Sequence, residues 1–339
     1  MQIERYRRGV SIWLLFVAGM VLFMIIVGGL TRLTQSGLSM VEWRPLMGTI
    51  PPITEAEWLD VFEKYKAYPE YQKVNKGMSL SEFKPIFYFE YSHRILGRLI
   101  GLVFALPAIF FWIKKAFPKA MIPKMLLLFV LGGAQGVIGW WMVKSGLVDR
   151  PDVSHYRLTL HLGMAVSLYI ALLWIALKHW KGNIFASSER VGTKIAPFLL
   201  GMVFLVILSG GLVAGLNAGL MMNTFPLMNG QWIPNGLYQE GLGVLNISEN
   251  RIMLQFNHRY LALGTGTLII GFWAWLRTKR LSSKQRWASH AMLFAVLLQI
   301  CLGITTLLTL VWVPVASMHQ TGAVILISSL VWLNVELRS

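Results

Sequence analysis

Charged residues and cysteine are both scarce in this chain. Asp, Glu, Lys and Arg together make up 14% of the 339 residues, whereas 55% are hydrophobic and the mean hydropathy is +0.58. This balance excludes an ordinary soluble domain and is typical of a polytopic membrane protein. The one cysteine, Cys301, lies in an apolar stretch, so no disulfide can form within the chain.

The sequence also lacks a recognisable removable targeting segment. The first apolar stretch has no small-x-small cleavage site and continues into Gly28-Gly29-Leu30-Thr31-Arg32, which argues against a signal peptide. No Arg-rich and Ser-rich transit segment precedes it. We therefore expect a multi-pass protein of a bacterial plasma (inner) membrane.

Long apolar runs are abundant. Eight of them are long enough to cross a bilayer, which predicts an all-α integral membrane protein with eight transmembrane helices. The expected spans lie near residues 10–30, 91–113, 122–143, 157–177, 195–216, 254–276, 288–310 and 314–335.

The net charge of +16 reflects membrane topology rather than an affinity for nucleic acid. With eight spans, 17 basic residues fall on one side, and the short segments of the other side hold only Lys144, Arg150, Arg157 and Arg251. The positive-inside rule then places both termini in the cytoplasm. The 17 residues are Arg5, Arg7, Arg8, Lys114, Lys115, Lys119, Lys124, Lys178, Lys181, Arg190, Lys194, Arg277, Lys279, Arg280, Lys284, Arg286 and Arg338.

The two halves of the chain resemble each other. An even number of spans in each half predicts two tandem, pseudo-symmetric four-helix bundles, residues 1–180 and 181–339, related as parallel repeats. The matching motifs are Gly28-Gly29-Leu30 with Gly210-Gly211-Leu212, Glu90-Tyr91-Ser92-His93-Arg94 with Gln255-Phe256-Asn257-His258-Arg259, Ala134-Gln135-Gly136-Val137-Ile138-Gly139 with Leu298-Gln299-Ile300-Cys301-Leu302-Gly303, and His161-Leu162-Gly163 with His319-Gln320-Thr321-Gly322.

Only the first half has a long outer loop, residues 31–87, with seven basic and seven acidic residues. Within it, Thr54-Glu55-Ala56-Glu57 is typical of a helix start, with a capping Thr and acids in the first turn. Trp58, Phe62 and Tyr65 follow at helical spacing and predict an amphipathic helix on the bundle or at the membrane interface. The loop is expected to cap a cofactor pocket; the alternative is a solvated connection.

Four histidines occupy matching places in the two halves. His93 and His161 lie in the first half and His258 and His319 in the second, each near the outer start of an even-numbered span. An intramembrane histidine is costly and is a functional candidate by default. Neutral imidazole binds haem iron well, so we expect two bis-histidine haem sites toward the outer, periplasmic side. The alternative is that these imidazoles only form hydrogen bonds across helices or to headgroups.

Glu90 distinguishes the two candidate sites. It precedes His93 by one helical turn, whereas the equivalent residue of the second half is Gln255. The difference favours a catalytic first site, where the carboxylate relays protons or stabilises positive charge, and a permanent cofactor in the second. The alternative is a structural carboxylate that orients a ligand or pairs with Arg94.

Arginines near the histidines are candidates for binding haem propionates, because a guanidinium suits carboxylates. Arg94 and Arg259 each directly follow a histidine, and Arg32 and Arg157 are further candidates. His155, in the loop before the fourth span, is expected to be solvated. A di-iron carboxylate site would need the Glu-x-x-His motif twice, and the membrane region has one copy.

The motif Gly28-Gly29-Leu30-Thr31-Arg32-Leu33-Thr34-Gln35-Ser36-Gly37-Leu38-Ser39-Met40, the motif Glu90-Tyr91-Ser92-His93-Arg94 and the two-unit plan resemble the haem A synthase family over essentially the whole chain. The long first loop with Trp43, Pro51-Pro52 and Glu57-Trp58 is most similar to the proteobacterial and mitochondrial branch. Other bacterial members carry cysteine pairs in their outer loops. This chain has none there, so a thiol-based role cannot apply.

The resemblance implies oxidation of the C8 methyl of haem O to a formyl group by two successive hydroxylations, which gives haem A for terminal oxidases. It implies that His93 and His161 bind the substrate haem with Glu90 acting beside it. It further implies that His258 and His319 hold a haem b cofactor.

Several partners follow from the same resemblance. They are haem O, an electron donor or acceptor such as a ferredoxin-like protein or a quinone, haem O synthase, cytochrome oxidase assembly factors and membrane lipid. No nucleic acid is expected, and the glycine-rich spans are compatible with a homo-oligomer. A non-enzymatic alternative stays open: a di-haem b-type electron-transfer cytochrome or a haem carrier.

Overall fold

The computed structural model describes residues 2–42, 49–148, 151–182 and 191–338. Trp43, Arg150 and Arg190, used in the sequence argument, lie outside these residues. The described chain is all-helical. Its helices are α1 (Gln2–Leu33), α2 (Glu55–Lys66), α3 (Pro69–Lys73), α4 (Leu80–Ile113), α5 (Ile122–Lys144), α6 (His155–Lys181), α7 (Ile195–Gly215), α8 (Asn246–Glu249), α9 (Arg251–Arg277), α10 (Ser283–Leu308) and α11 (Val313–Glu336).

Seven of the described helices are both long and apolar enough to cross a membrane: α1, α4, α5, α6, α7, α10 and α11. The prediction of an all-helical, multi-pass membrane protein is therefore confirmed. The eighth expected span corresponds to α9, which has 27 residues but is not among the seven. Its N-terminal half carries Arg251, Gln255, His258 and Arg259, which lower its hydropathy.

The long helices pack around α1, α6, α7 and α11. In the first half α1 contacts α4 and α6, and α5 contacts α4 and α6. In the second half α7 contacts α9 and α11, and α10 contacts α9 and α11. The halves meet where α6 contacts α7 and α11 and where α1 contacts α11. The apolar core, with Leu14, Leu172, Leu199 and Ile327 almost fully buried, lies at this junction.

The amphipathic helix predicted in the first outer loop is present as α2. Thr54 caps it, and its side chain and that of Glu57 satisfy each other's backbone N–H groups in a capping box. Trp58, Phe62 and Tyr65 are buried against the N-terminal end of α4. That end extends to Leu80, well before the predicted start of the span, because Ser79 and Glu82 form a second capping box there.

Candidate functional site

The four histidines predicted to bind haem lie on four different helices. His93 is on α4, His161 on α6, His258 on α9 and His319 on α11. Each imidazole is partly buried, and those of His93 and His161 are close enough to interact electrostatically. The same holds for His258 and His319. The structure thus brings the histidines together in the two pairs that the sequence predicts.

Each imidazole of the first pair lies against a glycine of a neighbouring helix. A Cβ atom added to Gly28 of α1 would lie 3.1 Å from Nε2 of His93. One added to Gly139 of α5 would lie 3.1 Å from Cε1 of His161. Any larger residue at either position would push against the ring, so these glycines allow the close approach of imidazole and helix.

The second pair repeats this arrangement at the equivalent glycines. A Cβ atom added to Gly210 of α7 would lie 3.1 Å from Cε1 of His258. One added to Gly303 of α10 would lie 2.9 Å from Cε1 of His319, closer than real Cβ contacts. The glycine under each ring is therefore a repeated feature of both halves, and each imidazole occupies the space that a side chain would fill.

The hydrogen bonds around His258 suit one tautomer of its ring. The Ser209 hydroxyl donates to the carbonyl oxygen of Val206 at 2.7 Å, and Nδ1 of His258 lies 2.8 Å from Ser209 Oγ. With its own proton on Val206, the Ser209 oxygen is placed to accept from a ring Nδ1–H. In that tautomer Nε2 keeps the lone pair that a metal would need.

Glutamines one turn before the facing glycines contact the other two histidines. Gln299 Nε2 lies 3.1 Å from Nδ1 of His319 and donates to the carbonyl oxygen of that residue at 3.0 Å. Gln135 donates to the carbonyl oxygen of His161 at 3.2 Å, but Nδ1 of His161 is buried without a hydrogen-bond partner. The imidazoles of the second pair are therefore held by polar side chains, whereas that of His161 is not.

The donor set fits haem. Each pair offers two imidazoles from different helices, and each ring sits in a cradle that a Cβ atom would fill. Within the described ranges, no cluster of three or more His, Cys, Asp or Glu side chains could hold a bare metal ion. A pair of imidazoles suits an iron whose other ligands come from a macrocycle.

Glu90 is almost fully buried, with 3% of its surface exposed, and both of its oxygens are engaged. Oε2 accepts hydrogen bonds from Ser39 Oγ and from the backbone N–H of Met40, both at 2.8 Å. Oε1 forms a 2.5 Å ion pair with Nη2 of Arg94, one turn further along α4. The carboxylate therefore anchors the segment after α1 onto the helix that carries His93.

In the second half the equivalent segment, which follows α7, is held by hydrogen bonds that run in the opposite direction. Gln255 Nε2 donates to the carbonyl oxygens of Met222 at 3.1 Å and Gly219 at 3.3 Å. Its Oε1 is buried without a hydrogen-bond partner. Glu90 thus receives hydrogen bonds from its loop, and Gln255 donates them to its own. The Glu-to-Gln difference has a structural cause in addition to any catalytic one.

The two arginines that follow histidines clamp loops in the same way. Arg94 donates to the carbonyl oxygens of Met40 at 2.7 Å and Glu42 at 3.1 Å. Arg259 donates to the carbonyl oxygens of Met222 and of Thr224, the latter at 2.8 Å. Each guanidinium group therefore holds the segment that follows α1 or α7 against the helix that carries the histidine. Contact of these groups with haem propionates stays a prediction.

One weaker expectation is changed by the structure. The expectation of a solvated His155 is wrong, because this residue is 4% exposed and its Nε2 lies 3.0 Å from the carbonyl oxygen of Ser248. It begins α6 and packs under the loop between α7 and α9. Arg32, a propionate candidate, donates to the carbonyl oxygen of Ala214 at 3.0 Å and to Asn217 Oδ1 at 3.2 Å, which caps the end of α7, and its contact with a propionate stays a prediction.

Sequence reasoning missed the residues that hold the histidines. Ser209 and Gln299 contact imidazoles, and the repeated motifs contain the facing glycines without indicating that these lie under the rings. A signal for Ser209 was available, because it directly precedes the Gly210-Gly211-Leu212 motif where the first half has Val27.

Comparison with known proteins gives one consistent family. A protein of Nitrosospira multiformis named heme A synthase is 46% identical over 335 residues, which cover 98% of this chain and 94% of that protein. Proteins of the same name from Rhodospirillum centenum and Paramagnetospirillum magneticum are 45% and 47% identical, cover 96% of this chain each, and are themselves covered over 87% and 92%. Residues 11–331 also match the family described as COX15-CtaA, cytochrome oxidase assembly protein. The chain therefore belongs to the COX15-CtaA family.

Proposed function

We propose that this protein is a haem A synthase, an oxidoreductase that converts the C8 methyl of haem O into a formyl group. Relatives of that name match it at about 45% identity over nearly their whole length. The observation that carries the proposal is the pairing of four repeat-equivalent imidazoles within such a chain. Haem O is the substrate, and two successive hydroxylations of its methyl group are the expected route.

We further propose two four-helix units, residues 1–180 and 181–339, with α9 as the eighth transmembrane helix. The helix contacts support this arrangement, because the contact of α1 with α11 corresponds to that of α7 with α6 when the halves are exchanged. The glycines that face the four histidines also correspond when the halves are exchanged, Gly28 with Gly210 and Gly139 with Gly303. A pseudo-two-fold axis along the membrane normal would produce both features.

The proposed location is the bacterial inner membrane, with both termini in the cytoplasm and both haem sites toward the periplasm. The basic residues support this orientation, since 17 of them fall on the side of the termini. His93 and His258 also lie next to loops that Arg94 and Arg259 clamp, and these loops belong to the opposite side.

The first half is proposed as the substrate site and the second as the haem b site. The support is that the imidazoles of the two pairs have different neighbours at Nδ1. Ser209 Oγ lies at Nδ1 of His258, where a ligand of a permanent cofactor needs an acceptor. Gln299 holds His319 through the backbone carbonyl oxygen of that residue. Nδ1 of His161 has no such partner, as expected where haem O enters and haem A leaves.

Glu90 is proposed to act as a proton acceptor beside the substrate. Its two oxygens accept from Ser39, Met40 and Arg94, so uptake of a proton by the carboxylate would weaken the contacts that hold the loop. Loop movement and proton transfer would then be coupled. Haem b, when bound by the second half, supplies one-electron redox chemistry, with a ferredoxin-like protein or a quinone as the expected external partner.

An electron-transfer cytochrome is the second candidate function. One observation favours it: Glu90 has a complete set of structural partners and thus needs no catalytic role to explain its presence. Such a protein would use both histidine pairs for resident haem b and would bind no haem O.

Extraction and chromatography of the pigments separate the two functions. The wild-type protein is purified from cells that make haem O, beside Glu90→Ala, Glu90→Gln and the exposed control Glu63→Gln. A synthase contains haem b with haem O or haem A, and both Glu90 variants lose haem A while Glu63→Gln retains it. Haem b alone in all four proteins would contradict the proposal and identify an electron carrier.

A further inference from the structure

The contact between Ser209 and His258 distinguishes the two halves in a way that the histidines themselves do not. Ser209 lies on α7 directly before Gly210, the glycine under the His258 ring. Its hydroxyl oxygen is 2.8 Å from Nδ1 of that ring. In the first half the equivalent residue, before Gly28, is Val27, which has no polar atom in its side chain.

The direction of this hydrogen bond bears on how the ring binds iron. With its hydroxyl proton on the carbonyl oxygen of Val206, 2.7 Å away, Ser209 Oγ is placed to accept from the Nδ1–H tautomer of His258. An acceptor on Nδ1–H fixes the tautomer and orientation of an imidazole ligand and raises its basicity. A more basic axial ligand stabilises the ferric state, which lowers the reduction potential of the haem.

The first half offers its imidazoles no comparable support. The Val27 side chain cannot accept a hydrogen bond, and Nδ1 of His161 is buried without a partner although Gln135 reaches the backbone of that residue. In the second half the equivalent Gln299 reaches both the backbone and Nδ1 of His319. Gln299 meets Nδ1 with an amide nitrogen, which can only donate, so among the four candidate ligands it is His258 whose Nδ1 faces a hydroxyl oxygen.

We propose that Ser209 is the positioning residue that makes the second half retain its haem, and that Val27 leaves the first half free to exchange its own. Ser209 acts through His258 and contacts no substrate. The inference rests on the proposed haem-binding function and deepens it, because it explains how two similar sites in one chain serve as a cofactor site and a substrate site.

The test measures haem loss and reduction potential in the second site alone. Full-length protein with His93→Ala, which removes one ligand of the first site, is purified with Ser209 intact or changed to Val, Ala or Thr. Excess apomyoglobin captures released haem, and a redox titration gives the midpoint potential. Because removal of such an outer contact typically lowers metal affinity about 10- to 100-fold, Ser209→Val and Ser209→Ala should lose haem faster by a similar factor.

The midpoint potential should rise in Ser209→Val and Ser209→Ala and stay near the starting value in Ser209→Thr, which keeps the hydroxyl. Ser167→Val on α6 is the matched control, since this exposed serine only donates to the carbonyl oxygen of Gly163 in its own helix. In the otherwise wild-type chain, Val27→Ser should slow haem loss from the first site. Unchanged haem loss and potential in both Ser209→Val and Ser209→Ala would overturn the proposal.

Failure of this inference and failure of the proposed function give different results. If Ser209 has no such role, the wild-type protein still forms haem A and the Ser209 variants match it in haem loss. If the protein is not a synthase, no haem A appears, whereas the effect of Ser209 on bound haem b is still measured.

Discussion

At the scale of single residues, hydrogen-bond polarity explains why equivalent positions differ. Glu90 can only accept when ionised, and it receives hydrogen bonds from Ser39, Met40 and Arg94. Gln255 meets two backbone carbonyl oxygens, which a carboxylate would repel and an amide can bind. Each side chain therefore matches the loop above it.

A carboxylate at position 255 tests this explanation. Gln255→Glu should destabilise the second half by about 1–3 kcal/mol, because two carbonyl acceptors lose their donor and face a negative charge. Thermal unfolding in detergent and haem b content are the measurements. Gln239→Glu, the same chemical change at an exposed loop position, should leave both unchanged. Equal melting temperatures for the two variants would contradict the explanation.

Glu70 predicts a pH dependence of the outer segment. Burial raises the pKa of this carboxyl from its ordinary 4.5 to about 7, Tyr65 lowers it by a hydrogen bond, and the charges of Glu90 and Asp152 raise it. The folded segment prefers the protonated form, so this contribution to its stability is complete at low pH and is lost as the pH rises through about 7. Hydrogen exchange of α2 and α3, corrected for intrinsic rates, should therefore be faster at pH 8.5 than at roughly pH 6.

Glu70→Gln should remove most of this pH dependence, because the neutral amide mimics the protonated carboxyl. Glu63→Gln changes an exposed carboxylate of the same segment and should retain the wild-type profile. A flat exchange profile for the wild-type protein would show that Glu70 titrates as an ordinary carboxyl.

At the scale of helices, the positions of glycines decide where imidazoles can sit. Gly28, Gly139, Gly210 and Gly303 each face a histidine of the neighbouring helix, whereas Gly136, on the same helix as Gly139, has nothing within 4 Å of an added Cβ. Glycine inside a helix is destabilising by about 0.5–1 kcal/mol relative to alanine. The close contact with an imidazole ring therefore explains why a destabilising glycine stands at each of these four helix positions.

Alanine at two glycines of α5 provides a matched pair. Gly139→Ala should lower the haem content of the first site, because its new Cβ would lie 3.1 Å from the His161 ring and overpacking costs about 1–3 kcal/mol. Gly136→Ala should leave haem content unchanged and raise the melting temperature slightly. Pigment analysis of both purified variants is the measurement, and a normal haem content in Gly139→Ala would refute the prediction.

At the scale of the whole molecule, the halves are joined by polar contacts at both ends of the helices. Gln320 of α11 donates to the carbonyl oxygen of Ile25 in α1 at 2.6 Å, at the level of the sites. At the far ends of α6 and α11, Lys181 Nζ lies 2.5 Å from Glu336 Oε2, and both side chains are largely buried. These contacts join α1 and α6 to α11.

Loss of one partner in the Lys181–Glu336 pair should weaken the junction. Lys181→Met leaves a buried carboxylate without its cation, which typically costs about 3–5 kcal/mol, and should lower the unfolding temperature in detergent. The double variant Lys181→Met/Glu336→Leu should recover most of this loss, because it removes both charges. A double variant no more stable than Lys181→Met would show that the pair is not coupled.

Much of this architecture was predictable because it depends on periodic or local features of the sequence. Hydropathy predicted eight spans, of which seven are long and apolar enough in the described structure, and Thr54 with Glu57 predicted the start of α2. The repeat predicted two histidine pairs, whose members lie near each other, and their role as haem ligands stays a prediction. The polar N-terminal half of α9 lowers the hydropathy of the eighth expected span, which shows where composition alone is weakest.

The sequence by itself determined the membrane class, the two-fold repeat and the four candidate ligands, because hydropathy and motif spacing are properties of residues close together in the chain. Only the tertiary structure decided what each ligand touches. Glu90 meets N–H donors and Gln255 meets carbonyl oxygens, and Ser209 reaches His258 from another helix. Such contacts join residues about 30 to 50 positions apart, and their polarity depends on which backbone groups face the side chain after the helices have packed.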